Sequence, residues 1–104
     1  MKKCKVEIHV EAKIDFHAQI EYLAGQNCSI ETLHKFVEEM EAGSDAIGQN
    51  PFTWPLAQPS KHVRKFGPTK TFRYLIFYVV LESGTARIID YGSPGRQPRW
   101  MERV

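Results

Sequence analysis

The sequence lacks abundant cysteine and any long hydrophobic run. Its two cysteines, Cys4 and Cys28, lie far apart without a CxxC spacing, so neither a zinc ribbon nor a disulfide framework is indicated. No apolar stretch approaches the roughly 20 residues of a membrane helix, and the nearest, 74–81, has the length of a strand. The basic start is followed by Glu7 and Glu11 where a signal peptide needs apolar residues. We therefore expect a reduced, cytoplasmic protein without a signal peptide or membrane segment.

Acidic residues are scarce in the second half of the chain. Residues 53–104 carry nine Lys or Arg but three Asp or Glu, whereas residues 1–52 carry five Lys or Arg and nine Asp or Glu. The formal charge of +2 thus combines two halves of opposite sign. A basic half indicates a polyanion or an acidic partner if its cations share one face. The alternative is a segment bias without function.

Motifs with diagnostic spacing are also absent. There is no P-loop, HExxH, GxSxG or dinucleotide-binding pattern. The histidines lie on separate predicted elements at spacings that form no metal cluster: His9, His17, His34 and His62. Most enzyme classes are unsupported, and we expect no metal and no cofactor.

Hydrophobic periodicity predicts an α+β protein with a single domain, 1–104. Alternation over 4–10 predicts a strand, and spacings of three and four predict helices over 11–24 and 29–48. Gly43 should weaken the second helix, since glycine is a poor helix former. The second half of this helix should therefore be the weaker one.

Three prolines in 50–59 predict a connecting loop, after which three strands follow. They are predicted over 62–66, 71–81 and 86–91. The order strand, helix, helix, strand, strand, strand implies a small antiparallel sheet with two N-terminal helices on one face. Because 71–81 is apolar on both faces, the second face needs a cover. The loop and tail with Trp54 and Trp100, or a partner segment, are the alternatives.

Arg73 needs an explanation, because an unpaired arginine is costly within an apolar central strand. It either pairs with a carboxylate such as Glu82, Asp90 or a helix acid, or points into a groove that receives an anion. A guanidinium matches both carboxylate and phosphate. Trp100 likewise has two interpretations, since it can stack on a base or close the edge of the core.

Several motifs and the order of elements resemble one known family. The motifs are Val63-Arg64, Phe72-Arg73-Tyr74 at the start of the long strand, Ile88-Ile89 and Arg96-Gln97-Pro98-Arg99-Trp100. Together they resemble the RelE/ParE toxins of type II toxin–antitoxin, or plasmid stabilisation, systems. The resemblance covers nearly the whole chain. It implies a toxin that binds a cognate antitoxin and has a basic groove formed by His62, Arg64, Arg73 and Arg96.

The resemblance implies one of two activities. RelE-like members cleave mRNA on the ribosome by attack of a ribose 2′-hydroxyl on the adjacent phosphate, which needs a base, an acid and cations. For that reaction it implies His62, Arg64 and Arg73 as catalytic residues, with His62 as acid or base. It implies RNA-binding residues at Lys61, Lys65, Arg96, Arg99 and Trp100.

ParE-like members instead inhibit DNA gyrase without nuclease activity. Many nuclease members carry His or Tyr near the tail, at a position that aligns with Ser93. Serine does not readily replace an imidazole as an acid or base in catalysis. Tyr91 takes the place of the missing His or Tyr only if the alignment is shifted. Whether the chain is an enzyme therefore stays open, and a non-toxic binding module of the same fold is a third alternative. In each case we expect an acidic or amphipathic antitoxin segment to cover the apolar second face.

Overall fold

The structure, a computed structural model, describes residues 4–93 and 99–103 and has a helical layer on a four-stranded sheet. Its elements are β1 (Val6–Ile8), α1 (Val10–Gly25), α2 (Ile30–Gln49), β2 (Arg64–Phe66), β3 (Leu75–Val80), β4 (Ala86–Gly92) and a 3₁₀ turn (Trp100–Glu102). The predicted α+β class and the predicted order of elements are confirmed.

The sheet is mixed, with the strand order β1-β4-β3-β2. The pairs β2–β3 and β3–β4 are antiparallel, as predicted. In contrast, β1 runs parallel to β4, with Val6 opposite Ala86. A parallel pair requires a long crossover, and here both helices and two strands lie between its members.

Side-chain caps define where the helices begin. His9 precedes α1, and its Nδ1 accepts a hydrogen bond from the Glu11 backbone N–H at 3.1 Å. The helix therefore begins at Val10, and β1 is shorter than the predicted 4–10. At the second helix, the Ser29 Oγ accepts from the Thr32 N–H at 3.1 Å, as is typical of an N-cap serine.

Helix α2 is continuous through Gly43, in agreement with the predicted span 29–48, although glycine was expected to weaken it there. A Cβ at Gly43 would lie 2.7 Å from Ile76 Cδ1 and 3.0 Å from Phe66 Cε1. The glycine thus allows the helix backbone to approach the sheet closely. The packing gained across this contact offsets the low helix propensity of glycine.

The main core lies between the helices and the sheet. Its side chains come from both layers and are at most 7 % exposed: Ala12, Phe36, Met40, Ile47, Tyr74, Ile76, Tyr78, Ala86, Ile88 and Tyr91. The apolar stripe of α2 therefore faces the sheet, as its periodicity predicts.

A second cluster covers the opposite face of the sheet. Trp100 stacks on Phe77, with ring centroids 6.0 Å apart and planes at 29°, and Ala57 and Val63 lie in the same cluster. The chain's own loop and tail therefore cover this face, so the antitoxin segment expected there would find the described part of it occupied. Trp54 lies on the helix face, where its ring contacts the main core.

An irregularity in β4 changes which side chains face the tail. Phe77 pairs with Asp90 and Tyr78 pairs with Ile88, so Ile89 is an extra residue. Such a bulge breaks the alternation of faces along a strand. Ile88 contacts the main core, while Asp90 accepts a hydrogen bond from the Arg99 backbone N–H at 2.6 Å.

Candidate functional site

Arg64 lies on β2, and the preceding loop holds its side chain. Its Nη1 donates to the carbonyl oxygens of Trp54 at 2.7 Å and Phe52 at 3.3 Å. The guanidinium carbon lies 5.4 Å from the centroid of the Phe52 ring, within the range of a cation–π contact. This half-buried cation therefore has a fixed orientation, with its Nη1 already bonded to the protein.

Tyr78 is the cross-strand neighbour of Arg64. Its side chain is fully buried, and its hydroxyl donates to the Pro51 carbonyl at 2.6 Å. Burial raises the pKa of Tyr78 to about 12, although the charge of Arg64 opposes the rise. Tyr78 is thus a neutral donor that fixes the end of α2 to the sheet.

Lys61 and His62 are exposed in the turn before β2. Ser60 shapes this turn, since its Oγ accepts from the N–H groups of His62 at 3.1 Å and Val63 at 2.9 Å. The strand predicted from His62 begins at Arg64. His62 is therefore outside the strand, and strand alternation does not relate its direction to that of Arg64.

Arg73 also lies outside the strand in which the sequence placed it. β3 begins at Leu75, and Arg73 occupies the preceding loop with φ 61° and an exposed side chain. Among the described residues its guanidinium forms no ion pair. Asp90, one of its two proposed strand partners, instead bonds to Arg103. Arg73 is thus a solvent-facing cation.

The three predicted catalytic residues do not converge. Arg64 is opposite Tyr78. Three strand positions, or roughly 10 Å, separate Tyr78 from Leu75, where β3 begins, and Arg73 lies beyond that end. His62 lies beyond the other end of the pair, in the turn before β2. The structure therefore places His62 and Arg64 at one end of the β2–β3 pair and Arg73 at the other.

The loop of Arg73 is held by a residue that sequence reasoning missed. Glu39 of α2 accepts from the backbone N–H of Thr71 at 3.0 Å and of Phe72 at 2.8 Å. Burial opposes its charged form, but these bonds and those from Thr69 and Thr71 side chains lower the pKa of Glu39. No periodicity marks this glutamate, because its partners lie far along the chain.

The tail residues divide into exposed and buried groups. The Arg99 side chain is half exposed, with its Nη1 3.9 Å from Asp15 Oδ1. Trp100 is 4 % exposed against Phe77, so its ring is closed to base stacking. Arg96, which the resemblance places in the groove, lies outside the described residues.

Arg103 was not predicted as a site residue but is the most enclosed cation among the ion pairs of the described residues. Its side chain is 5 % exposed and bonds to Asp15 at 2.7 Å, Glu11 at 3.1 Å and Asp90 at 3.4 Å. Burial opposes its charge, but the Asp15 bond and the carboxylates of Asp90 and Glu11 raise the pKa of Arg103. An aspartate in the apolar β4 was the only sequence signal for this network.

Exposed basic side chains concentrate on edge strand β2 and the loops on either side of it. No Asp or Glu occurs in residues 53–81. This surface, which we term the basic edge, comprises Lys61, His62, Lys65, Lys70 and Arg73. It includes both predicted lysines and two of the three predicted catalytic residues, and it adds Lys70. A group of exposed cations of this kind attracts polyanions.

The fold and this surface define a small α+β protein with a basic sheet edge. The chain matches no protein-family model and no curated protein. In the described ranges, neither helix is long and apolar enough to cross a membrane. Within those same ranges, no three His, Cys, Asp or Glu side chains form a group able to hold a metal ion.

Proposed function

We propose that the chain is the toxin component of a type II toxin–antitoxin module that acts in the cytoplasm on ribosome-bound mRNA. The basic edge carries this proposal, since its five basic side chains are exposed and residues 53–81 hold no carboxylate. A phosphodiester chain binds such a surface because neutralised phosphates release their counterions. The sequence resemblance to RelE/ParE toxins and the shared order of elements support it.

The end of the basic edge near Arg64 is the proposed reacting end. It combines a fixed guanidinium, which can stabilise charge on the reacting phosphate, with an exposed imidazole at His62. An imidazole can donate or accept a proton near neutral pH. Because Arg73 lies at the opposite end, its proposed role is to bind RNA backbone away from the cleaved bond.

Gyrase inhibition is the second candidate function. The separation of His62 from Arg73 favours it, because a surface that only binds a protein target needs no converging acid, base and cation. Ser93, where nuclease members carry His or Tyr, points in the same direction.

The proposed partner in either case is a cognate antitoxin with an acidic segment. Trp100 and the loop already cover the second sheet face, so we propose that the antitoxin binds the basic edge. Opposite charges across an interface speed association and select the partner.

Induction of the chain in bacteria without an antitoxin tests the proposal. Growth is recorded while new mRNA 5′ ends are mapped by sequencing. We expect growth arrest with cuts clustered in translated codons, and a loss of roughly a hundredfold in cleavage for His62→Ala. Lys35→Ala, which removes an exposed lysine of α2 outside the basic edge, is the matched control and should cleave normally.

Arrest without such cuts would contradict the nuclease proposal and favour gyrase as the target. Unimpaired growth with normal protein levels would contradict both toxic activities and favour a non-toxic binding module.

A further inference from the structure

The loop over residues 69–74 is closed by its two end residues. The Thr69 N–H donates to the Tyr74 carbonyl at 2.8 Å, and the Tyr74 N–H donates to Thr69 Oγ1 at 2.9 Å. Just before the loop, Gly67 has φ 114°, and a Cβ there would lie 2.6 Å from the Tyr74 carbonyl oxygen. Glycine is thus needed for the close approach of the two loop ends.

The middle of the loop is fixed from beneath by Glu39. Its two carboxylate oxygens accept from the consecutive N–H groups of Thr71 and Phe72. Hydrogen bonds to an ionised acceptor are stronger than neutral ones. The loop is therefore bonded at both ends and at its centre, which leaves its backbone little freedom.

This arrangement directs two cations into solvent. Lys70 and Arg73 are both exposed. Arg73 holds φ 61°, a conformation that is unfavourable for a non-glycine residue and persists only where the surroundings impose it. The bonds to Glu39 and between Thr69 and Tyr74 are the surroundings that impose it.

We propose that Lys70 and Arg73 form a preformed binding tip for the phosphodiester backbone of RNA, and that Glu39 is its positioning residue. The choice of RNA rests on the proposed function. The tip is one end of the basic edge, so its two charges add to those of Lys61, His62 and Lys65 in binding a chain of phosphates. A preformed loop binds more tightly because less conformational freedom is lost on binding.

The two possible effects of Glu39 on RNA binding have opposite signs. As a simple charge, Glu39 repels phosphate, so Glu39→Gln should tighten binding. As a positioning residue, it holds the tip, so the same substitution should weaken binding, because a glutamine amide cannot accept with both of its terminal atoms. Glu38, the exposed neighbour on α2, provides a matched loss of charge in Glu38→Gln.

The experiment measures the affinity of the full chain for a labelled single-stranded oligoribonucleotide by fluorescence anisotropy across a salt series. We expect Lys70→Ala and Arg73→Ala each to make the plot of log affinity against log salt less steep, with a change in slope of about 0.7 for one lost phosphate contact. Glu39→Gln should bind about fivefold more weakly, while Glu38→Gln should bind equally or more tightly. A cooperative thermal melt shows whether Glu39→Gln folds. Faster amide exchange at Thr71 and Phe72 is expected because the substitution loosens the loop.

Three outcomes would overturn the inference. The first is that the unmodified chain does not bind RNA. The second is that folded Glu39→Gln binds RNA as tightly as the unmodified chain or more tightly. The third is that the unmodified chain binds polyglutamate as tightly as RNA, which would assign the tip to an acidic protein. Growth on induction is scored separately. If the unmodified chain arrests growth but Glu39→Gln binds RNA with unchanged affinity, the positioning role alone is overturned. If the unmodified chain allows normal growth but the variants show the expected RNA affinities, the toxin proposal alone is overturned.

Discussion

Arg103 donates from Nη2 to Asp15 Oδ2 at 2.7 Å and thereby joins the 3₁₀ turn of the tail to the first turns of α1. Both side chains are largely enclosed, with 5 % and 17 % exposure. Asp90 lies 3.4 Å from the same guanidinium and is itself 4 % exposed. Since these charges have little contact with water, both carboxylates depend on Arg103 for compensation, and Arg103 depends on them.

Arg103→Ala should therefore lower the free energy of unfolding by about 3 kcal/mol, because it leaves two enclosed carboxylates without their cation. Chemical denaturation measures this loss. Arg99→Ala is the control, since that side chain is half exposed and 3.9 Å from Asp15, and it should cost less than about 1 kcal/mol. Equal stabilities of the two variants would show that the tail does not depend on this network.

Gly43→Ala should destabilise the protein even though alanine is the better helix former. The new methyl group would lie 2.7 Å from Ile76 Cδ1 in a fully buried region, and overpacking should cost about 1–2 kcal/mol. Gly25→Ala, at the end of α1 with no atom within 4 Å of the added Cβ, should equal or exceed wild-type stability. Comparison of the melting temperatures of Gly43→Ala and Gly25→Ala separates the cost of overpacking from the gain in helix propensity.

The acid dependence of stability should change in Glu39→Gln. The pKa of Glu39 in the folded state lies below its unfolded value near 4.5. The ionised carboxylate therefore contributes fully to the free energy of unfolding above pH 4.5, and this contribution is lost as the pH falls through the folded-state pKa. Glu39→Gln should melt a few degrees lower at pH 7, and the difference should disappear in acid. A difference that persists at pH 2 would exclude the ionised carboxylate as its cause.

Tyr78→Phe should cost about 1–2 kcal/mol, since it leaves the Pro51 carbonyl without its donor. Because burial raises the pKa of Tyr78 to about 12, the unfolded chain loses its phenolic proton first, and stability should fall above pH 10. The variant should lack this part of the alkaline loss. Tyr22→Phe, at an exposed position of α1, should match the wild type at every pH.

The sequence predicts the elements whose side chains follow a regular period. Helix α2 was located because Met40 and Ile47 recur on one face, and β4 because apolar residues are bounded by glycine. These patterns arise because each element buries one face against a neighbouring layer. They were sufficient to predict the fold class and the order of the helices and strands.

The predictions that failed depend on contacts between distant parts of the chain. Residues 71–74 have the composition of a strand, but Glu39 bonds the loop from another element. The direction of β1 and the enclosure of Arg103 likewise depend on residues far along the chain. At the candidate site, the residue types of the basic edge could be predicted from the sequence, but the separation of His62 from Arg73 could not.

The parallel pairing of β1 with β4 has a consequence during synthesis. Among the described strands β1 pairs with β4 alone, and both helices, β2 and β3 are made between them, so β1 cannot take its place in the sheet until β4 has been translated. Contacts of such large sequence separation slow folding. The four-stranded sheet is therefore completed only when its last strand in chain order has been made.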